Sequence, residues 1–316
     1  MPRHAVKIAI AAVWISVLTS ASFAAEPRGV EHWVEANGVK LRIWEKSTGD
    51  PVAKPVIVLA HGSASSGEES FDLQVPGKPS YSLMDYLASE GFDVFAPDMR
   101  GFGRSTHPQA GVSTADAADD FQAVVDFILN MRSHEKVGIL AWSWGTQYAG
   151  MYVMANADKV ARYASFAQMH VNSPDLARRR AKVEALRKKP YITIPEEAWT
   201  RRFHSMTPGG YTDPDVSGAF AKAASKAEPT TPTGPQIDMA TLLPLVNPRL
   251  IAVPVMLIHG EFDDVADPEG LWPFFRDLPN PEKKYVVVQG GGHMLQFQLG
   301  HPQFQRELSA FFKPMQ

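Results

Sequence analysis

At 316 residues, with 45% hydrophobic and 21% charged residues, the chain has the makeup of an ordinary globular protein large enough for one α/β domain. A formal net charge of -3 without a long basic run excludes a polyanion-binding surface, so no nucleic-acid partner is expected. With no cysteine, disulfides, thiolate nucleophiles and cysteine-linked lipid anchors are excluded as well.

Arg3, His4 and Lys7 precede an apolar core from Ile8 to Leu18, and Ser22-Phe23-Ala24 carries small residues at cleavage-site spacing. Residues 1–24 therefore read as a signal peptide cut after Ala24, its core too short to span a bilayer comfortably. There is no twin-arginine pair, so general secretion is implied. The expectation is a periplasmic or secreted protein with no stable membrane insertion after cleavage.

Val30 to Ala36 and Val39 to Glu45 alternate in polarity around Asn37-Gly38, the pattern of an antiparallel hairpin. Pro55 to Ala60 is a continuous apolar run, a strand buried on both faces, and it ends in His61-Gly62-Ser63-Ala64. A helix from Tyr81 to Ser89 and a strand from Gly91 to Pro97 follow. Next comes the glycine-punctuated loop Asp98 to Ser105, in which Asp98 and Arg100 are expected to pair. That loop holds G-x-G but no G-x-G-x-x-G opening a helix, which excludes a dinucleotide site. Ser113 or Thr114 caps a long amphipathic helix to about Arg132.

Val137 to Trp142 is the next apolar run, broken at Ser143 and followed at once by a helical pattern. Ala141 and Gly145, two residues either side of Ser143, are small enough for strand and helix to pass closely. This is the pattern of a strained corner that holds a serine hydroxyl clear of the backbone. A further strand is expected from Arg162 to Gln168. The strand–helix alternation then lapses from about Asn172 to Arg249, too long a gap for a plain connection, so 172–248 reads as a helical cap or lid. The core comprises 25–171 and 249–316. The sheet resumes at Val253 to Ile258, with His259-Gly260-Glu261-Phe262-Asp263-Asp264 at its end. Lys284 to Gln289 is the last strand, followed by Gly290-Gly291-Gly292-His293 and a terminal helix from about Gln298 to Phe312. The fold class is thus α/β: a mostly parallel, eight-stranded sheet with helices on both faces and a helical cap inserted after strand six.

Ser143, Asp263 and His293 each end a strand, in that order along the chain. The motifs H-G-S-A (61–64), D-M-R-G-F-G-R-S (98–105), A-W-S-W-G (141–145), H-G-E-F-D (259–263) and G-G-G-H (290–293) together resemble the α/β-hydrolase family over essentially the whole mature chain. The resemblance implies Ser143 as nucleophile, His293 as general base and then acid, and Asp263 as the carboxylate orienting His293. It also implies the backbone N–H groups of Ser63 and Trp144 as the oxyanion hole, and a loop of three glycines that swings His293 towards Ser143. Trp142, His61 and Ala64 are candidate pocket residues, although His61 and His259 also read as structural. Asp264 and Asp267 compete with Asp263 as the acid. No metal-ligand spacing is present and no cofactor is expected.

Members of the family that dehalogenate alkanes or open epoxides carry aspartate at the corner, where this chain has serine. The leading expectation is an exported serine hydrolase acting on a small-molecule carboxylic ester through an acyl-enzyme. The tryptophans flanking Ser143 resemble the G-G-S-W-G motif of proline iminopeptidases, for which Glu196 and Glu197 are the candidate amine-binding pair. Amide cleavage, carbon–carbon cleavage and a non-catalytic binder on the same fold stand as alternatives.

Overall fold

The computed structural model describes residues 25–171, 176–205, 210–266 and 269–315. The expected signal peptide and Asp267 lie outside the described residues. Among the described residues no helix is long and apolar enough to cross a membrane.

In chain order the elements are β1 (Arg28–Ala36), β2 (Val39–Ser47), β3 (Val56–Ala60), α1 (Gly67–Phe71), α2 (Leu83–Ser89), β4 (Asp93–Pro97), α3 (Thr114–Arg132), β5 (Val137–Trp142), α4 (Gly145–Ala155) and β6 (Val160–Phe166). Next come α5 (Leu176–Arg180), α6 (Val183–Leu186), β7 (Tyr191–Ile192), α7 (Glu196–Ser205), α8 (Pro214–Ala227), β8 (Thr231–Pro232) and α9 (Gly234–Thr241). The chain closes with β9 (Val255–Gly260), α10 (Trp272–Asp277), β10 (Lys283–Val288) and α11 (His301–Phe312).

Eight strands form one sheet in the order β1-β2-β4-β3-β5-β6-β9-β10. The β1–β2 hairpin turns on Asn37 and Gly38, both at positive φ (52° and 75°), as a two-residue turn matched to strand twist requires. From β4 onward the pairings are parallel. Strands β3, β5 and β9 are buried at every position, which is why their sequences are apolar without alternation. The chain steps one way from β3 to β4 and the other way from β3 to β5. Their carboxyl ends therefore diverge at a crevice, the place where open α/β sheets bind ligands.

Local chemistry sets the helix limits. Ser113 and Asp116 form a reciprocal capping box at the start of α3, and Ser133 ends it in the left-handed region. The helix expected from Tyr81 begins instead at Leu83, because Ser82 accepts the N–H of Asp85 and caps it; Pro79–Tyr81 is a separate 3₁₀ turn. The expected pairing of Asp98 with Arg100 is corrected. Arg100 reaches across to α3, donating through Nε and Nη2 to Asp120 at 2.6 and 2.5 Å. Asp98 turns inward and accepts from the N–H of Gly67 and of Arg104. Two residues apart in a bent loop, the two side chains leave in different directions.

Between β6 and β9 the described residues form five α-helices, a 3₁₀ turn at Pro248–Leu250 and the two-stranded β7–β8 ribbon. These elements rest on the rest of the molecule through both charge and aromatic packing. Lys78 pairs with Asp213 and Asp215 at the start of α8. Phe203 of α7 and Phe220 of α8 pack on Phe297, with ring centroids 6.0 and 4.9 Å away. The stretch Glu228–Pro235, rich in proline and threonine, is not loose coil. Thr231 and Pro232 pair with Ile192 and Tyr191, and the buried Glu228 accepts the N–H of Gly103.

Candidate active site

Ser143 occupies the corner between β5 and α4 with φ +55°, a left-handed conformation that disfavours any residue with a Cβ by about 1–2 kcal/mol. The corner is held on both sides. The Ser143 N–H donates to the Phe166 carbonyl at 3.0 Å, extending the β5–β6 ladder one step past the strand. The Ser143 carbonyl accepts from both the N–H and the hydroxyl of Thr146. At Gly145 a Cβ would stand 2.3 Å from the carbonyl oxygen of Ala60, so only glycine lets α4 leave this close to β3.

The structure brings the three triad candidates into one chain of contacts. Ser143 Oγ lies 2.8 Å from His293 Nε2, and His293 Nδ1 lies 3.1 and 3.2 Å from the two Asp263 carboxylate oxygens. An ionised Asp263 only accepts, so Nδ1 carries the proton and Nε2 is left to accept from the Ser143 hydroxyl. Asp263 Oδ1 also accepts the N–H groups of Val265 and Ala266. Burial alone would push its carboxyl up, but the adjacent His293 and the backbone donor outweigh burial and hold it below the usual range. Its neighbour Asp264 is exposed.

The loop that carries His293 is pinned rather than free to swing, which corrects the expectation drawn from its glycines. At Gly260 a Cβ would fall 2.5 Å from the backbone of Gly291 and Gly292, and at Gly291 it would fall 2.3 Å from Leu295. Gly260 and Gly291 therefore serve close packing, and Gly290 supplies a left-handed turn at φ +73°. The Gly292 N–H donates to Gln298 Oε1 at 2.6 Å, and the Trp142 indole N–H donates to the His293 carbonyl at 3.0 Å. Trp142 thus lies immediately before the serine and grips the backbone of the histidine.

Beside Ser143 and His293 is a small cavity of about 10 Å³. Gly62, Ser63, Ala64 and Ser65, the loop after β3, form one wall, and Trp142 and Met294 contribute another. Trp199 of α7 completes the lining, so the elements between β6 and β9 reach the serine. Of the three residues expected in the pocket, Trp142 and Ala64 line this cavity. The third, His61, does not. It is fully buried behind the loop, where Nε2 accepts the Met99 N–H and Nδ1–H donates to the Gly62 carbonyl. Burial drives its pKa down to about 4, so it is a neutral brace. His259 is buried with the same consequence, also at about 4.

Ser63 and Trp144 flank the serine from two elements. Among the described residues neither backbone N–H has a protein acceptor, leaving both donors available beside Ser143. The Trp144 side chain points the other way, its indole N–H donating to Thr114 Oγ1 at 2.9 Å. Glu196 and Glu197 are exposed at the start of α7, outside the cavity lining. Among the described residues no cluster of three His, Asp or Glu is placed to hold a metal ion.

Sequence reasoning missed Trp199, Met294 and Gln298. For Trp199 a signal was present: Trp199 and Phe203 fall four apart in the otherwise polar helix EEAWTRRFHS and so share one apolar stripe. A second missed feature lies behind the loop after β3, where Glu69, Asp98 and Glu228 converge. Ser66 donates to Glu69, Asp98 Oδ1 accepts the Gly67 N–H, and Glu228 Oε1 accepts the Gly103 N–H at 2.8 Å. Burial raises all three carboxyls, Asp98 to about 6 against the pull of Arg42 and two backbone N–H groups, and, with the repulsion of Asp98 added, Glu69 to about 7 and Glu228 well above its ordinary range.

A family model described as the alpha/beta hydrolase fold matches residues 55–298. An epoxide hydrolase A of Mycobacterium tuberculosis is 33% identical over 137 residues, covering 43% of this chain and 37% of that protein. The chain spans about two fifths of the length of the curated relatives it matches. Among solved structures, an esterase from Exiguobacterium antarcticum superposes with a TM-score of 0.68 at 17% identity, covering 90% of this chain and 100% of that one. An epoxide hydrolase A from Mycobacterium thermoresistibile gives 0.63 at 20% identity, covering 90% and 98%.

Proposed function

Because the chain belongs to the α/β hydrolase fold family, we propose that it is a serine hydrolase that cleaves carboxylic esters through an acyl-enzyme. The observation that carries this reading is the unbroken run from Ser143 Oγ through His293 to Asp263 at hydrogen-bonding distances. In the proposed reaction His293 Nε2 takes the hydroxyl proton as Ser143 Oγ bonds to the ester carbonyl carbon. The carbonyl π pair moves onto oxygen, and that oxyanion accepts from the N–H groups of Ser63 and Trp144. Asp263 stabilises the imidazolium without taking its proton. Collapse of the adduct expels the alcohol oxygen, which is protonated from Nε2. Water then repeats the sequence on the acyl-enzyme and releases the acid.

Several relatives are epoxide hydrolases, and the chemistry of the corner argues against carrying that activity over. A carboxylate that opens an epoxide forms an ester, which water can cleave at its carbonyl. Ser143 would form an ether with no carbonyl to attack, and the enzyme would stop after one turnover. Esterase neighbours fit the hydroxyl nucleophile. Export is part of the proposal and rests on the N-terminal segment; N-terminal sequencing of mature protein should begin at Ala25.

The test is labelling with a fluorophosphonate, which reacts with activated serines. Wild-type protein should label at Ser143 and hydrolyse a p-nitrophenyl ester. Ser143→Ala should do neither, with a loss on the order of 10⁴-fold or more in turnover. Unlabelled wild-type protein, or an active alanine variant, would overturn the reading.

A further inference from the structure

Resting on that serine-hydrolase reading, we propose that Trp199 is a size stop that restricts the enzyme to small, uncharged esters. The cavity beside Ser143, at about 10 Å³, has room for little more than one water molecule and lies far below the roughly 300–1,000 Å³ of small-molecule sites, so the side chains that line it set how much acyl or alcohol chain can enter. Among the described residues that line it, none is Asp, Glu, Lys or Arg, so a charged acyl group would be desolvated there without a partner.

Trp199 is the largest side chain in that lining contributed from outside the sheet and its loops, and it is buried to 1% exposure. Its position is fixed by packing. The indole meets Phe220 of α8 edge to face, at 5.6 Å between centroids and 83° between planes. Phe220 in turn packs 4.9 Å from Phe297, four residues beyond His293 on the loop that holds it. Trp199 is thus wedged between the inserted helices and the histidine loop, and it cannot turn aside for a longer chain without breaking that stack. Since van der Waals overlap rises steeply, a rigid wall discriminates by length more sharply than a flexible one.

The experiment measures kcat/KM for two ester series, p-nitrophenyl acyl esters from acetate to octanoate and acetate esters from methyl to octyl. A succinate monoester serves as the charged counterpart of the butyrate. Wild-type protein should fall at least about tenfold between the shortest and longest members and act poorly on the succinate, since each misfitted methylene is worth a factor of several. Trp199→Ala should recover the long members at least about tenfold relative to acetate in at least one series. Trp199→Phe, which keeps an aromatic contact with Phe220, should fall between the two and serves where the alanine variant does not fold. Fluorophosphonate labelling of Ser143 in each variant separates the two ideas. Full labelling with an unchanged chain-length profile overturns the size stop and leaves the hydrolase reading intact, whereas no labelling of wild-type protein removes the premise. A wild-type enzyme that prefers octanoate, or accepts succinate as readily as butyrate, also overturns the proposal.

Discussion

Asp263 and the group formed by Glu69, Asp98 and Glu228 are all carboxyls with little or no access to water, and they are shifted in opposite directions. Asp263 is removed from water, yet it is held below its ordinary pKa because His293 and two backbone N–H groups face it. Asp98 and Glu228 are also removed from water and Glu69 is half-buried; Glu69 and Glu228 face other carboxylates, Asp98 has only Arg42 at 3.5 Å and two backbone N–H groups against full burial, and all three are raised. Burial pushes every carboxyl the same way, so the difference lies in what each one faces. One arrangement keeps a charge ready for chemistry, and the other stores protons at the junction between the inserted helices and the loop after β3.

The most severe way to break the contrast is to remove the ready charge. Asp263→Asn should lower kcat/KM on the order of 10⁴-fold, because an amide can donate to Nδ1 and favour the wrong tautomer. Circular dichroism should show a folded protein, and a loss under tenfold would mean that another acid orients His293.

The second set should be felt in stability. Unfolded carboxyls titrate near 4, so the folded protein holds protons that the unfolded chain has released, and stability falls as pH rises through about 6 for Asp98 and about 7 for Glu69. Asp263 has the reverse sign: its contribution is present above the unfolded value and is lost as pH falls through the depressed folded one. Melting temperature should therefore decline from pH 5 to pH 8. Glu228→Gln keeps an acceptor for Gly103 but cannot ionise. It should flatten that decline, melting roughly 2–4 °C above wild type at pH 8 while matching it more closely at pH 5. Parallel curves for variant and wild type would show that the cluster does not set the slope. The smallest effect should come from Asp264→Asn. This exposed neighbour should change kcat/KM within about twofold, the scale of an ordinary surface substitution.

How far the sequence discloses this arrangement depends on the range of the forces involved. The sheet strands and the corner at Ser143 are local matters: apolar runs of strand length, and small residues at 141 and 145, announce themselves over ten positions. Ser143, Asp263 and His293 were also legible because each lies in the turn or loop that follows a strand, and parallel strands deliver their ends to one side of a sheet. The carboxyl cluster was not, since Glu69, Asp98 and Glu228 come from three separate elements and no spacing relates them. Arg100 was misread for the same reason, its partner Asp120 lying 20 residues on in α3 rather than two residues back. The glycines before His293 suggested motion because sequence shows missing side chains but not the left-handed turn at Gly290 or the Leu295 side chain that fills the space at Gly291.

The left-handed backbone at Ser143 sets survival against work. Glycine enters that conformation without penalty, so Ser143→Gly should relieve about 1 kcal/mol and melt above wild type while losing its reactive hydroxyl; a lower melting point would mean that the corner is comfortable as it stands. A population of variants passed through repeated heating, with no demand for turnover, would thus be drawn to discard its chemistry at this position. Here heat resistance and catalysis are rival uses of one torsion angle, and only selection that asks for both would keep the serine.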